Sequence, residues 1–209
     1  MRPGMRVLDL GSGKGATSVF LAREYGVEVV AADLWIAPEQ AAAVFAEAGV
    51  GDQVEAVRAE AHALPFEEQS FDAIVSVDAF EYFGTADSYL PYLLHFLRPG
   101  GHLGVATPAM TREVRELEVI PSHIKDVVGW EAMAWHTAEW WRFQWEITEL
   151  VEVTSARLQQ DAWQDWLLWA RAGAEHRPEG RSANQPVIDM LTADGGEFLS
   201  FALIAAYKN

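Results

Sequence analysis

Three glycines at alternate positions near the start of the chain constrain its fold more than any other feature. The predicted strand Val7–Leu10 is apolar except for Asp9, Gly11, Gly13 and Gly15 follow it, and a helical pattern begins directly afterwards. Glycine permits positive φ and close approach of a ligand, and the first N–H groups of a helix lack intrahelical partners. A strand, a glycine loop and a helix in this order are typical of a nucleotide-binding turn in an α/β fold. The alternative is a glycine turn that only packs a helix tightly on a strand.

The spacing of these glycines and the acid before them narrow the choice of ligand. The loop is G-x-G-x-G rather than the G-x-G-x-x-G of dinucleotide sites, and Asp9 lies two residues before the first glycine. A carboxylate here would repel a pyrophosphate but would suit an amino group or a positive centre. The stretch resembles the first motif, (D/E)-x-G-x-G-x-G, of class I S-adenosylmethionine-dependent methyltransferases. The resemblance implies cofactor contacts at Asp9, Gly11, Ser12, Gly13 and Gly15.

An acid ends the second predicted strand, twenty residues after Gly13. In nucleotide-binding α/β folds an acid at this position accepts hydrogen bonds from ribose hydroxyls. Taken alone, an acid at a strand end also suits a helix cap or a turn. Asp33 matches the acidic second motif of the methyltransferases, and the resemblance adds Leu34 to the cofactor site.

The segment Glu60-Ala61-His62-Ala63-Leu64-Pro65-Phe66, followed by Phe71-Asp72, is the next marker. It resembles the (D)-A-x-x-L-P-F…F-D segment of the small-molecule methyltransferases often called type 11. In those proteins the acid and the following alanine contact the adenine, which implies this role for Glu60 and Ala61. Glu60 stands where aspartate is usual, so the carboxylate lies one methylene further along its side chain.

A fourth segment, Asp78–Gly84, follows the predicted strand Phe71–Val77. Ligands of open parallel sheets bind beyond the carboxyl ends of the strands. The segment resembles a D-A-x-x-Y-F-G loop in a bacterial subgroup of the same methyltransferases. The resemblance implies that Asp78 lies near the methionine part of the cofactor and that Glu81 and Tyr82 face the methyl group or the acceptor. The alternative for Glu81 is a solvated surface side chain.

Predicted strands and helices alternate along the chain, which favours an α/β fold. We expect a Rossmann-like, doubly wound, mostly parallel sheet of seven strands with helices on both faces. We expect one methyltransferase domain over residues 1–209, with an acceptor-site insertion at about 107–150 and a helical insertion at about 160–193. The pattern also predicts a helix at about 86–97, a strand at 102–106, a loop at 173–186 and a short helix near 186–193.

Composition argues against several classes of partner. The net charge is −16, from 31 acids and 15 lysines and arginines, so most of the surface would repel nucleic acid. No apolar run is long enough for a membrane span, no secretory pattern opens the chain, and there are no cysteines. The six histidines lack metal-ligand spacing such as H-x-x-x-H. We therefore expect a cytoplasmic protein with neither a metal nor a nucleic-acid or membrane partner.

Two histidines and a group of tryptophans mark the second half of the chain. His123 and His136 lie where this family builds its acceptor site, and either could deprotonate an acceptor. The alternative is that each is a polar surface or packing residue. Eight of the nine tryptophans lie between residues 130 and 169, where they predict either core packing or an aromatic acceptor pocket.

The residues and the resemblance together predict one activity, which is transfer of a methyl group from S-adenosylmethionine to a small-molecule acceptor by in-line displacement. The cofactor supplies the electrophile, so the protein mainly positions the reactants and excludes water. The alternatives are a non-catalytic cofactor-binding protein and, against the glycine spacing, an NAD(P)-dependent oxidoreductase. The acceptor, the methylated atom and the oligomeric state are not encoded in any motif found.

Overall fold

A computed structural model describes residues 1–176 and 180–209 and contains a single sheet with helices between its strands. The strands are β1 (Arg6–Leu10), β2 (Glu28–Asp33), β3 (Val54–Arg58), β4 (Phe71–Val77), β5 (Leu97–Met110), β6 (Val151–Leu158) and β7 (Leu199–Lys208). The α-helices are α1 (Ala16–Tyr25), α2 (Pro38–Glu47), α3 (Tyr89–Leu94), α4 (Ser122–Val128), α5 (Ala138–Glu146), α6 (Ala162–His176) and α7 (Gly180–Asp194). Short 3₁₀ turns lie at Phe80–Tyr82, Val114–Glu116 and Gly129–Ala134.

The strand order in the sheet is β3-β2-β1-β4-β5-β7-β6. β1 pairs in parallel with β2 and β4, β2 pairs with β3, and β4 pairs with β5. β6 and β7 are antiparallel, because Asn209 N–H donates to Leu150 O while Gln159 N–H donates to Phe201 O. The predicted mostly parallel seven-stranded sheet is confirmed. Its order reverses between β1 and β4, which is where ligands of doubly wound sheets bind.

The described residues form two compact units. The first comprises residues 1–107, 142–155 and 204–209, and the second comprises residues 108–141 and 156–203. The sequence predicts one domain with two insertions, and that division stays a prediction. No helix within residues 1–176 or 180–209 is long and apolar enough to cross a bilayer.

The core of the first unit forms where α1 and α2 cover β1 and β2. Val7, Leu21, Val29 and Phe45 are among its buried side chains. Gly15 precedes α1 with φ +88, and a Cβ at this residue would lie 2.1 Å from the Phe45 ring. The third glycine of the loop is therefore required for helix packing, which is the structural alternative considered for the loop.

The bounds of α3 and β5 differ from the predicted bounds. The helix spans only Tyr89–Leu94, and β5 begins at Leu97 and continues to Met110, past the predicted strand at 102–106. Phe71 pairs with Leu97 but Ala73 pairs with His102, so the pairing of β4 with β5 is irregular between Phe71 and Ala73. Lys208 Nζ donates 2.8 Å bonds to the carbonyls of Leu94 and Leu97. These bonds satisfy the carbonyl groups at the junction and end the helix early.

The predicted loop at 173–186 is wrong in its described part. α6 continues to His176, and α7 begins at Gly180 and includes Pro186; residues 177–179 lie outside the described residues. A Cβ at Gly173 would lie 3.2 Å from Asn184 Nδ2, so glycine permits close approach of the two helices. Burial of apolar side chains such as Leu191 in this unit outweighs the low helix propensity of glycine and proline.

Three tryptophans of the second half are buried, and two are exposed. Trp135, Trp141 and Trp145 are buried, which confirms the core-packing prediction for these three. Trp130 and Trp169 are largely exposed.

Replacing Gly15 by alanine tests the packing role of the loop. Gly15→Ala should lower the free energy of unfolding by more than the roughly 1–2 kcal/mol of left-handed strain alone, because its Cβ also meets Phe45. Gly49→Ala is the matched control, since Gly49 has φ +71 and no atom within 4 Å of its Cβ position. Chemical denaturation measures both. Equal losses, or no recovery in a Gly15→Ala, Phe45→Leu double variant, would contradict this account.

Candidate functional site

A cleft of about 280 Å³ opens beyond the carboxyl ends of β1 to β4. All of its lining residues belong to the first unit. It contains the carboxylates of Asp33, Glu60 and Asp78, and no lysine or arginine is among the described residues that line it. The cleft is therefore suited to a ligand with a positive centre and unsuited to a pyrophosphate.

A second cavity, of about 440 Å³, lies at the opposite ends of the strands, near Met5 and His102. Two of its charged side chains, Arg98 and Asp72, pair with each other. Ligands of parallel sheets bind at the other edge, so this cavity is not the candidate site.

The glycine loop forms the floor of the cleft. The N–H groups of Gly11 and Ser12 donate to Ala32 O at 2.8 and 3.1 Å, which joins the end of β1 to the end of β2. A Cβ at Gly11 would lie 2.3 Å from the Ala79 Cβ, whereas no atom lies within 4 Å of a Cβ at Gly13. Gly11 thus allows the close approach of Ala79, whereas Gly13 leaves open space in the cleft.

Asp33 holds the loop and the start of the next segment together. Its Oδ2 accepts a 2.8 Å bond from Gly13 N–H, and its Oδ1 accepts 2.8 Å bonds from the N–H groups of Trp35 and Ile36. A carboxylate has about four lone-pair sites. Three are used, so one remains on Oδ2, and this is the oxygen that could accept a ligand hydroxyl.

Asp9 is a buried carboxylate beneath the loop. Its Oδ2 accepts a 2.6 Å bond from Ser18 Oγ, and Oδ1 has no hydrogen-bond partner among the described residues. Burial, with a smaller contribution from the nearby charge of Asp33, raises the pKa of Asp9 to about 6 even though the hydrogen bonds from Ser18 lower it. A negative charge kept in such a place destabilises the fold and is typical of functional sites.

Asp78 lies where β4 leaves the sheet. Its backbone has φ +56, which is unusual for a residue other than glycine, and its N–H donates to Ala106 O at 2.8 Å. The side chain reaches solvent through the cleft, but the surrounding walls desolvate it and raise its pKa to about 6. Backbone strain of this kind is concentrated at functional sites.

Glu60 and Ala61 form another wall, and α3 supports them. Both oxygens of Glu60 bond to His62, one to its backbone N–H and one to Nδ1. These bonds lower the pKa of Glu60. The hydroxyl of Tyr89 donates to Ala61 O at 3.1 Å.

Of the two residues expected to face the acceptor, only Tyr82 lines the cleft. Its half-exposed ring makes an edge contact with Trp35, with centroids 5.6 Å apart. Glu81 is buried and its Oε2 accepts a 2.8 Å bond from Thr107 Oγ1. The solvated alternative for Glu81 is therefore wrong.

The two candidate histidines belong to the second unit. His136 Nδ1 lies 2.9 Å from Glu113 Oε2, and its ring stacks on Trp140 with a centroid distance of 3.6 Å. Glu113 is buried and also accepts two bonds from Thr137. His123 Nε2 lies 3.1 Å from Asp194 Oδ1. Each histidine thus has a carboxylate partner that orients its ring.

Most of the predicted cofactor residues meet in the cleft. Those that line it are Gly11, Gly13, Asp33, Leu34, Glu60, Ala61 and Asp78, whereas Asp9, Ser12 and Gly15 are not among its lining residues. Trp35, a largely exposed tryptophan that also lines the cleft, belongs to none of the sequence motifs. Its position two residues after Asp33 was the available signal. No cluster of three metal-binding side chains occurs within residues 1–176 and 180–209.

Comparison with known proteins finds similarity to methyltransferases. A family profile described as "Methyltransferase domain" matches residues 7–101. The ubiquinone biosynthesis O-methyltransferase of Sinorhizobium fredii is 33% identical over 141 residues, which are 65% of this chain and 53% of that protein. The sterol 24-C-methyltransferase of Yarrowia lipolytica is 31% identical over 117 residues, which are 56% of this chain and 31% of that protein. The chain thus spans about a third to a half of these relatives.

A solved structure shares the fold over the full chain. The S-adenosylmethionine-dependent methyltransferase of Geobacter sulfurreducens, in complex with S-adenosylhomocysteine, has a TM-score of 0.74 and 21% identity. The match covers 100% of this chain and 86% of that chain.

The strand order and the glycine-loop cleft define a Rossmann-like protein with its ligand site beyond the carboxyl ends of the strands. The family match is more specific than the fold. Residues 7–101 match the profile of a methyltransferase domain, and the relatives aligned over 56% and 65% of the chain are named as methyltransferases. These matches support the class I S-adenosylmethionine-dependent methyltransferases as the family that the chain resembles. The narrower type 11 likeness and the role of each site residue stay predictions.

The raised pKa of Asp9 predicts a pH effect on stability. Because the folded state binds the Asp9 proton more tightly than the unfolded state, the free energy of unfolding should fall as pH rises from 3.8 to about 6. Two pKa units correspond to about 3 kcal/mol. Asp9→Asn should flatten this fall, while Asp78, also with a pKa of about 6, retains part of it. Denaturation at pH 4, 6 and 7.5 checks this against exposed Asp52→Asn; an unchanged slope would contradict it.

Glu113 should have the opposite effect in the second unit. Burial raises its pKa, but the bonds from His136 and Thr137 outweigh burial and leave it below the ordinary value of 4.5. Its stabilisation is therefore present above pH 4.5 and is lost as pH falls through the lower folded pKa. Glu113→Gln should lower the melting temperature at pH 6 and reduce its decline below pH 4.5. The exposed Glu118→Gln variant should match the wild type, and similar curves for all three proteins would disprove the effect.

Proposed function

We propose that this chain transfers the methyl group of S-adenosylmethionine to a small-molecule acceptor by in-line displacement. The observation that carries the proposal is the cleft itself, which has three carboxylates, a glycine floor and no lining lysine or arginine among the described residues. S-Adenosylmethionine carries a sulfonium and an amino group, so an acidic site favours it electrostatically. The named methyltransferase relatives support the same chemistry.

The residues present fit this cofactor. Asp33 retains one lone-pair site on Oδ2 for a ribose hydroxyl, and Glu60 with Ala61 would hold the adenine. The open space at Gly13 would admit part of the cofactor, and Asp78 would attract the amino group of its methionine part. Asp9, with its unpartnered buried oxygen, would stabilise positive charge through the loop. Leu34, Ser12 and Gly15 complete the predicted set, with Gly15 acting through packing.

The bound cofactor would supply an electrophilic methyl group that a nucleophilic atom of the acceptor displaces. The chain's own residues would hold the two reactants in line and exclude water, which is the main source of acceleration in such a reaction. Tyr82 lines the cleft and would contact the acceptor, while buried Glu81 would support the turn that carries Tyr82. His123 and His136 stay candidate bases for an acceptor that begins protonated.

The small-molecule class of the acceptor is part of the proposal. Relatives named for sterol methylation and for ubiquinone biosynthesis act, by those names, in small-molecule chemistry. We also propose that residues 1–209 act as one methyltransferase domain whose insertions shape the acceptor site. The comparisons give no support to an oxidoreductase or to a non-catalytic binder.

Calorimetry with separate ligands tests the cofactor assignment. S-Adenosylmethionine and S-adenosylhomocysteine should bind the folded protein, whereas NAD should not. Asp33→Ala should weaken binding more than tenfold, because it removes the remaining acceptor on Oδ2 and the bond to Gly13. Asp33→Asn, which keeps an oxygen for Trp35 and Ile36, should also weaken binding, and exposed Asp52→Ala should not.

Melting curves of each variant separate loss of binding from loss of fold. The cofactor assignment fails if neither S-adenosyl ligand binds the folded wild type. Unchanged affinity in both folded Asp33 variants would remove Asp33 from the site.

A further inference from the structure

The contacts of Glu60 point to a role for its neighbour that no motif assigns. His62 binds both carboxylate oxygens: its N–H donates to Oε2 at 3.0 Å, and its Nδ1 lies 2.9 Å from Oε1. Both side chains line the cleft and both are about half exposed. Without these bonds, a glutamate at such a surface would occupy several rotamers. Fixing a long side chain in one rotamer then costs conformational entropy.

His62 is itself held in place. Its ring packs edge-on against Tyr89 at 5.2 Å between centroids. Tyr89 is almost fully buried on α3, and its hydroxyl donates to Ala61 O, between the two residues of the pair. Tyr92, one turn further along α3, accepts the N–H of Leu64 at 2.7 Å. The 60–64 segment is thus fixed to α3 at two points, and His62 transmits this rigidity to the Glu60 carboxylate.

We infer that His62 is a positioning residue that holds the Glu60 carboxylate ready to accept the exocyclic amino group of adenine. Each oxygen of Glu60 uses one of its two lone-pair sites on His62 and keeps one for a ligand. The bonds also hold the Glu60 carboxylate close to the backbone at His62. This offsets the extra methylene group that glutamate has relative to aspartate. Because the rotamer is fixed before binding, the ligand gains the hydrogen bond without ordering the side chain. This inference rests on the proposed function of the cleft.

The effect should depend on the base of the ligand. S-Adenosylhomocysteine and S-inosylhomocysteine differ at this edge, because the second has a carbonyl where adenine has an amino group. A carboxylate accepts from the amino group and opposes the carbonyl, so wild-type protein should prefer the adenine ligand. His62→Ala should weaken the adenine ligand about three- to tenfold, the cost of ordering one long side chain. It should leave the inosine ligand unchanged or bound slightly more tightly, because the released carboxylate can turn away from the carbonyl.

Calorimetric titration of both ligands into matched variants tests the inference. His62→Asn should restore much of the preference, because its side-chain amide can donate from nearly the same position as Nδ1. In a Glu60→Ala background, His62→Ala should have no further effect, since its action passes through that carboxylate. His95→Ala, an exposed histidine at the end of α3, is the control and should match the wild type.

The outcomes separate this inference from the proposed function. If folded wild type binds neither ligand, the proposed function fails, and the inference fails with it. If wild type binds and His62→Ala weakens both ligands equally, or weakens neither, the positioning role alone is overturned. A further loss from His62→Ala in the Glu60→Ala background would also overturn it. Melting curves confirm that each variant compared is folded. If His62→Ala is not folded, His62→Phe provides the test, because it keeps a ring against Tyr89 but has no side-chain donor for Glu60, and it should weaken the adenine ligand alone.

Discussion

The hydrogen bond from Gly13 N–H to Asp33 Oδ2 is the contact on which the site depends. It joins the loop after β1 to the end of β2, across strands already paired in parallel register. The other oxygen of Asp33 orders the segment that carries Trp35 to the rim. One carboxylate therefore sets the floor and one wall of the cleft, and still keeps a lone-pair site for a ligand. Packing of Phe45 against Gly15 supports the same loop from the core side.

The acids around this contact lower the stability of the fold, but they give the cleft its negative charge. Asp9 is buried close to Asp33, and its raised pKa reflects both burial and their mutual repulsion. Asp78 is desolvated on a strained backbone. Within the described lining of the cleft no lysine or arginine neutralises them. Desolvated carboxylates without a cationic partner are typical of functional sites, where a ligand can supply the missing positive charge.

Local patterns predicted the first unit well, because each motif there is a short-range feature. The glycine loop, Asp33 and the Glu60–Ala61 pair needed only their own neighbours and the rule that strand ends meet at one edge of a parallel sheet. The role of Gly15 was less accessible, since Phe45 lies thirty residues away in sequence. The helical course through Pro186 was missed because tertiary packing around Leu191 outweighs local propensity. The same limit applies to Trp35, whose exposure at a rim is decided by the folded cleft.

The second unit shows why contacts between distant residues are harder to predict from sequence than a glycine loop is. Glycines and acids at set spacings after a strand form a local pattern that can be recognised directly. Side chains that meet only in the folded protein can come from any element. Glu113 and His136 illustrate this, since their pairing spans a 3₁₀ turn, α4 and a second 3₁₀ turn, and Trp140 stacks on the imidazole. A buried carboxylate, two bonds from Thr137 and an aromatic face together hold one ring. His136 is therefore oriented from two sides, by the Glu113 carboxylate and by the Trp140 ring, and neither contact could be predicted from the local sequence around the histidine.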